Sequence, residues 1–163
     1  MLAQESLNVY LNDHLAGSVA AVDLIEQSID HNQGKPLAEF LEGLLREVRS
    51  DQTTLQQLME RFGVDRSPVK QASSWAAEKL SRLKFTVTGR TSESLRNLLE
   101  LEALLLGVHG KRGLWRALKE VADAEPRLAE TELDNLIQRA DQQISGIERH
   151  RAQAAREGLV EAA

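Results

Sequence analysis

Two histidines and two aspartates are the residues of this chain whose types and positions could do chemistry. Imidazole and carboxylate groups bind metal ions, exchange protons and form strong hydrogen bonds. At about 100° of rotation per helical residue, Asp51 falls inside an apolar stripe. His14, His109 and Asp141 fall at the edges of such stripes. The sequence therefore places four chemically capable side chains at or near the interior of a helical protein.

These side chains are expected at one level of a helical bundle. Four residues lie about 15–17 positions from the predicted helix ends that meet at one end of the bundle: Ser18, Asp51, His109 and Asp141. At about 1.5 Å per residue they fall within about 5 Å of one level along the bundle axis, with His14 slightly deeper. The middle layer is where helical bundles build ligand and metal sites.

Two interpretations of this layer are open, and the structural one is favoured. Buried polar groups are usually paired by hydrogen bonds, so His109 and Asp141 are expected to pair between helices. Asp51 has His14, Ser18 and His109 as its expected partners, and Asp51→Ala should cost roughly 1–3 kcal/mol. The alternative is an unconventional metal or ligand site. Under the structural interpretation, iron or manganese salts leave the melting temperature unchanged.

Helical periodicity dominates the chain, and no segment alternates as a strand does. Five helices are predicted, over residues 4–31, 36–62, 67–84, 92–122 and 126–156. Their ends follow local rules: glycine suits the left-handed position after a helix, and proline suits the first turn. Thr91 or Ser92 is expected to cap the fourth of these helices. The fold class is therefore all-α.

The helix lengths predict a ferritin-like four-helix bundle. Short connections join the first two and the last two long helices, so each pair should form an antiparallel hairpin. The segment 63–90, with its own short helix, should cross from one hairpin to the other. We expect one domain over residues 1–163, with a frayed tail at 157–163. An up-and-down bundle with an additional side helix is the alternative topology.

Two segments carry a resemblance to a known family. Residues 11–18 (LNDHLAGS) and 113–118 (GLWRAL), on helices of these lengths, are similar to bacterial YciF-like proteins of the ferritin-like superfamily. The resemblance implies a ferritin-like bundle and a non-catalytic, stress-associated or interaction role. In the metal-binding members, two helices each contribute a Glu and two others each contribute a Glu-x-x-His motif.

The ligands of such a di-iron site are missing from this sequence. No Glu-x-x-His occurs, and the nearest fragments, at 47–50 and 148–151, end in Ser and Arg. Ser18 stands where the superfamily has an inward Glu on the first helix. The sequence therefore predicts no catalytic, cofactor or metal residues. The rival is an iron or manganese oxidase or storage protein whose ligands would be His14, Asp51, His109 and Asp141.

Three glycines at intervals of three residues interrupt the fourth predicted helix. Gly107, Gly110 and Gly113 each lower helix propensity by about 1 kcal/mol relative to Ala. The apolar stripe also changes phase here, since Arg112 falls at a core position while Leu114 starts a new face. Close packing of another helix is the favoured explanation, and a π-bulge or kink is the other. A pocket opened by this segment would favour a third function, carriage of an apolar ligand.

Composition excludes several classes of function. The net charge of −5 lacks the basic footprint of a nucleic-acid-binding protein, and the absence of cysteine excludes thiol chemistry and cysteine-ligated metals. No apolar run approaches a membrane span, and the N-terminus does not resemble a secretory signal, so a cytoplasmic protein is expected. Leu24 and Leu45 lie off the main stripes, as does the segment 104–106 in part, which predicts spare apolar surface and a homodimer. A non-catalytic structural, interaction or stress-associated protein is the favoured function.

Overall fold

The computed structural model describes residues 3–66, 92–128 and 131–160. Four long α-helices occupy these ranges: α1 (Gln4–His31), α2 (Pro36–Phe62), α3 (Glu93–Glu120) and α4 (Leu133–Leu159). Two single-turn 3₁₀-helices, Ala122–Ala124 and Pro126–Leu128, lie between α3 and α4. The described ranges contain no strand, so the all-α prediction is confirmed. None of the described helices has a stretch long and apolar enough to cross a membrane.

Local sequence explains most of the helix ends. Gly34 and Gly63 take positive φ angles of 76° and 63°, which glycine adopts without strain. Pro36 occupies the first turn of α2, where a missing N–H costs nothing. The Ser92 hydroxyl accepts a hydrogen bond from the Leu95 N–H at 3.2 Å and caps α3. The predicted bounds of α1 and α2 and the predicted start of α3 are therefore confirmed.

The last helix differs from the prediction at both ends. Pro126 was expected to begin it, but Pro126 starts a 3₁₀ turn and α4 begins only at Leu133. The reason is the buried Glu125 carboxylate, which accepts hydrogen bonds from the Arg127 backbone N–H at 3.2 Å and from its guanidinium at 2.7 and 2.8 Å. These bonds hold the connection in a turn. At its other end α4 continues to Leu159, past the expected fraying at 157.

Part of the predicted topology falls outside the described residues. The short helix at 67–84 and most of the crossover segment 63–90 belong to this part, as does Thr91, the alternative cap of α3. Residues 161–163, at the end of the predicted tail, also lie outside the described residues. These expectations stay predictions.

The helices α1 and α2 form an antiparallel hairpin. The Gln4 side chain, at the start of α1, donates a 3.0 Å hydrogen bond to the Phe62 carbonyl at the end of α2. The helices α3 and α4 form the second hairpin, because Lys119 near the end of α3 pairs with Asp134 near the start of α4. Both predicted hairpins are therefore present.

The two hairpins are joined so that α2 and α3 run in the same direction. The end of α1 meets the start of α3, where the side-chain amides of Asn32 and Asn97 exchange hydrogen bonds of 2.9 and 3.0 Å. Since α1 is antiparallel to both α2 and α3, those two helices are parallel. Gly63 and Ser92 consequently lie at opposite ends of the bundle.

The core consists of two apolar clusters, one toward each end of the bundle. The first joins the start of α1 to the ends of α2 and α3 and the start of α4, and includes Leu11, Met59, Trp115 and Leu136. The second joins the opposite ends of the same helices and includes Ile25, Leu41, Leu101 and Ile147. The residues at mid-bundle level, between these clusters, form the candidate site.

One basis for the predicted homodimer is corrected by the structure. Leu24 was expected to provide spare surface, but it is buried in the second cluster, and Leu45 packs against that cluster. Leu24 is buried because the apolar face of α1 is wider than the stripe traced from the sequence. The large apolar side chains exposed among the described residues are Val9, Tyr10, Leu106, Leu159 and Val160.

Candidate functional site

A cavity of about 520 Å³ opens at mid-bundle level between α1, α2 and α3. Its floor is the buried face of α2, with Leu44, Val48, Asp51 and Leu55. Its two walls are faces of α1 and α3. Most of the lining residues are apolar, and the volume is within the range of small-molecule pockets.

Small residues form much of both walls. They are Gly17, Ala20 and Ala21 on α1, and Ala103, Gly107 and Gly110 on α3. Among the described residues, a Cβ atom added at any of the three glycines would meet no neighbouring atom within 4 Å. These glycines therefore border the open space of the cavity.

The structure corrects two explanations of the α3 glycines. Close packing of another helix is wrong, because among the described residues open space surrounds the Cβ positions of Gly107, Gly110 and Gly113 alike. A π-bulge is also wrong, because the α-helix is continuous from Glu93 to Glu120. The alternative of a kink stays a prediction. Large side chains in the two apolar clusters hold α1 and α3 apart, and the glycines leave the gap between them unfilled.

Asp51 lies on the cavity floor and is 1% exposed, as its place in the apolar stripe predicted. Its partners were predicted wrongly, since among the described residues it pairs with Lys111 and Arg139 and not with His14, Ser18 or His109. Instead Lys111 of α3 donates a 2.5 Å hydrogen bond to Asp51 Oδ2. The Nη2 atom of Arg139, on α4, lies 2.5 Å from Oδ1 in an ion pair. Long basic side chains reach the carboxylate from positions that helical phase alone does not mark as neighbours.

Lys111 connects the cavity to a polar network that extends across α4. Its ammonium also donates to Gln143 Oε1 at 2.5 Å, and Gln143 donates in turn to Glu47 Oε2 at 2.9 Å. Burial lowers the pKa of Lys111, while the neighbouring Asp51 carboxylate acts in the opposite direction. The desolvation of the ammonium therefore exceeds what its anionic partner restores.

His14 and Ser18 lie on the α1 wall of the same cavity. The His14 ring packs edge-on against Tyr10, with ring centroids 4.7 Å apart, and burial lowers the pKa of the imidazole. The Ser18 hydroxyl donates to the Leu15 carbonyl at 2.7 Å and accepts from Gln52 Nε2 at 2.9 Å. The predicted layer is correct in bringing His14, Ser18 and Asp51 to one site.

His109 and Asp141 lie away from this cavity. No direct hydrogen bond joins them, contrary to the predicted interhelical pair. Arg112 stands between them instead: its Nη1 donates to Asp141 Oδ1 at 2.6 Å, and its Nη2 lies 3.1 Å from His109 Nδ1. His109 is exposed, and the Asp141 side chain is 46% exposed. The phase of α3 turns His109 outward, so it cannot complete a site with His14 and Asp51.

The four metal-ligand candidates are therefore divided between two places. His14 and Asp51 line the cavity, whereas His109 and Asp141 meet near the surface through Arg112. Within residues 3–66, 92–128 and 131–160, no three His, Asp or Glu side chains gather as a metal site. The Asp51 carboxylate is already engaged by two cations.

Sequence reasoning missed the donors beside Asp51. Lys111 was passed over as part of the glycine-rich stretch, although its position four residues before Trp115 puts both on one face of α3. The buried Trp115 also lines the cavity, and its indole N–H has no hydrogen-bond partner among the described residues. The signal available in the sequence was a lysine on the same helical face as the apolar Trp115.

A second polar layer joins α1 to α3 nearer the end of the bundle. The Glu100 carboxylate, 7% exposed, accepts a 2.6 Å hydrogen bond from Ser28 Oγ, and its other oxygen lies 3.1 Å from His31 Nδ1. The paired amides of Asn32 and Asn97 lie beside it. This layer is joined by hydrogen bonds between α1 and α3, and its residues do not line the cavity.

No protein-family model, curated protein or solved structure gives a significant match to this chain. The assignment of function therefore depends on the geometry of the cavity and its polar floor.

Proposed function

We infer that this protein is a non-catalytic helical bundle that binds an apolar small molecule in the cavity between α1, α2 and α3. The observation that carries this proposal is the cavity itself, bounded by small residues that include three glycines at which an added Cβ would meet no described atom within 4 Å. Helix-forming residues with larger side chains at these positions would extend into this space. Their absence leaves an apolar site of ligand size.

The apolar walls of the cavity support a bound molecule on energetic grounds. Exposed wall residues such as Gly17 and Gly110 show that this cavity opens to solvent, so its apolar walls are in contact with water. An apolar ligand would remove the walls from water and recover stabilising contacts.

A ferritin-like topology is part of the proposal. Two antiparallel hairpins, α1–α2 and α3–α4, in which α2 and α3 run parallel to each other, are what a long crossover between hairpins requires. The resemblance to YciF-like proteins supports the same topology and the non-catalytic role. The homodimer and the cytoplasmic location predicted from the sequence stay predictions, and light scattering at tens of micromolar protein tests the first.

Ligand binding is tested with a neutral apolar fluorophore, N-phenylnaphthylamine, and a pair of matched variants. Gly110 lines the cavity, and Gly113, one turn along the same helix, does not. Both have open space at the Cβ position, so Gly110→Leu and Gly113→Leu make the same chemical change at matched backbone sites. We expect saturable fluorescence enhancement with the wild type. Gly110→Leu should bind the fluorophore at least about tenfold more weakly, and Gly113→Leu should bind it as the wild type does.

The proposal fails if the wild type shows no saturable binding, or if both leucine variants bind equally well. Thermal unfolding gives a second readout, because a ligand that binds only the folded state raises the melting temperature. Iron and manganese salts, tested in the same way, distinguish the rival metal site. A reproducible rise that Asp51→Ala abolishes would favour that rival.

A further inference from the structure

The cavity is polar in different ways at its mouth and at its floor. The mouth lies between α1 and α3, where the exposed lining residues include the carboxylates Asp13 and Glu102. Glu102 is paired loosely with Arg151 at 3.6 Å. The floor contains the buried Asp51 and, beside it, the ammonium of Lys111, whose side chain is 15% exposed. Among the described lining residues, an anionic group therefore meets carboxylates at the mouth and a cation, Lys111, at the floor.

The cation at the floor has fewer anionic partners than it could accept. An ammonium has three N–H donors, and two of those on Lys111 reach Asp51 and the neutral Gln143. Asp51 is shared with Arg139, so one carboxylate serves two cations in the buried layer. Glu47, the other nearby carboxylate, is exposed and contacts Gln143 rather than Lys111. Burial of the ammonium lowers the pKa of Lys111 and the nearby Arg139 adds to this effect, while the carboxylates of Asp51 and Glu47 act against it.

We propose that the ligand of this cavity is an amphipathic carboxylate, with its apolar body between α1 and α3 and its carboxylate at Lys111. This inference rests on the proposed function and specifies the chemical class of the ligand. The small wall residues accommodate an alkyl or flat apolar body, and the carboxylate takes the third N–H of the ammonium. Charge-assisted hydrogen bonds of this kind are stronger than neutral ones.

The experiment compares three ligands with one alkyl chain and different head groups. Decanoate, decanol and decylamine compete for the cavity with N-phenylnaphthylamine, near neutral pH and below their micelle-forming concentrations. We expect decanoate to displace the fluorophore at a concentration about tenfold lower than decanol, as one charge-assisted hydrogen bond predicts. Decylamine, which carries a positive charge, should be the weakest competitor.

Lys111→Met tests the assigned residue, because methionine keeps an unbranched apolar stem and removes the charge. This variant should bind decanoate about tenfold more weakly and decanol unchanged. Lys119→Met is the matched control: Lys119 is on the same helix, pairs with Asp134, and does not line the cavity. We expect it to bind all three ligands as the wild type does.

The outcomes separate this inference from the proposed function. Equal displacement by decanoate and decanol, or strongest displacement by decylamine, overturns the carboxylate while cavity binding stands. A preference for decanoate that persists in Lys111→Met overturns the role of Lys111. If the fluorophore and all three ligands fail to bind the wild type, the proposed function fails as well. Should Lys111→Met not fold, the wild-type ligand series still decides the head group.

Discussion

The helices α1 and α3 face each other at two levels with opposite results. Near the end of α1, Ser28 reaches Glu100 with a 2.6 Å hydrogen bond, and the amides of Asn32 and Asn97 pair beside it. Two turns or more toward mid-bundle, Gly17 and Gly107 face a cavity and touch nothing across it. The same two helices are therefore bridged at one level and separated at the other.

The difference shows that small side chains do not by themselves bring helices together. Leucines and Trp115 fill the α1–α3 interface at one end, and Glu100 with its partners fills it toward the other. The distance between helix axes depends on the side chains at the points of contact. Since both ends are held apart by larger groups, the small residues between them produce a gap. That gap is the candidate binding site.

The largest expected loss of stability comes from removing the Asp51 carboxylate at the floor of the cavity. Asp51→Ala should lower the free energy of unfolding by about 3 kcal/mol, because it leaves the buried Lys111 and half-buried Arg139 without their anion. Asp51→Asn should cost less, since it keeps an acceptor for Lys111. Urea denaturation measures both. Asp141→Ala, which breaks a half-exposed pair with Arg112, is the control and should cost less than about 1 kcal/mol.

An equal loss for Asp51→Ala and Asp141→Ala would show that the network on the cavity floor contributes no more than a surface ion pair. The cavity would then lack the polar floor on which the carboxylate inference depends.

Removing Glu100, at the level where side chains bridge α1 and α3, should cause a smaller loss of stability. Glu100→Ala removes the acceptor of Ser28 and the partner of His31, and should cost about 2 kcal/mol in the same denaturation experiment. Glu102→Ala is the matched control, two residues along α3. Its exposed carboxylate makes only a 3.6 Å ion pair with Arg151, so its loss should stay within about 0.5 kcal/mol. Comparable losses from the two variants would contradict the bridging role of Glu100.

The smallest effects come from glycines on α3, and their sign distinguishes a gap from a contact. Gly107→Ala and Gly110→Ala should each stabilise the protein by up to about 1 kcal/mol, because helix propensity rises and nothing lies near the new methyl group. Gly158→Ala in α4 should destabilise it, because its Cβ would lie 2.9 Å from the Leu95 backbone nitrogen. Thermal unfolding measures the shifts. Destabilisation by Gly107→Ala would indicate that α1 and α3 approach each other there.

Local interactions made a large part of this fold predictable. The bounds of α1 and α2 follow from apolar periodicity and from Gly34, Pro36 and Gly63, whose backbone preferences act within a few residues. The burial of Asp51 follows from helical phase alone. The predicted start of α4 was also wrong for a local reason, because the Glu125–Arg127 hydrogen bonds compete with helix initiation at Pro126.

Tertiary structure alone decided the partners of Asp51 and the use of the three glycines. Helical phase predicts which face of its helix a residue occupies. Whether Lys111 and Arg139 reach the Asp51 carboxylate depends also on the distances between the three helix axes. A glycine in a helix permits both close approach and open space, and the large side chains several turns away select between them. Helix formation and burial are thus encoded within each helix, whereas the cavity and its charges depend on the separation between helices.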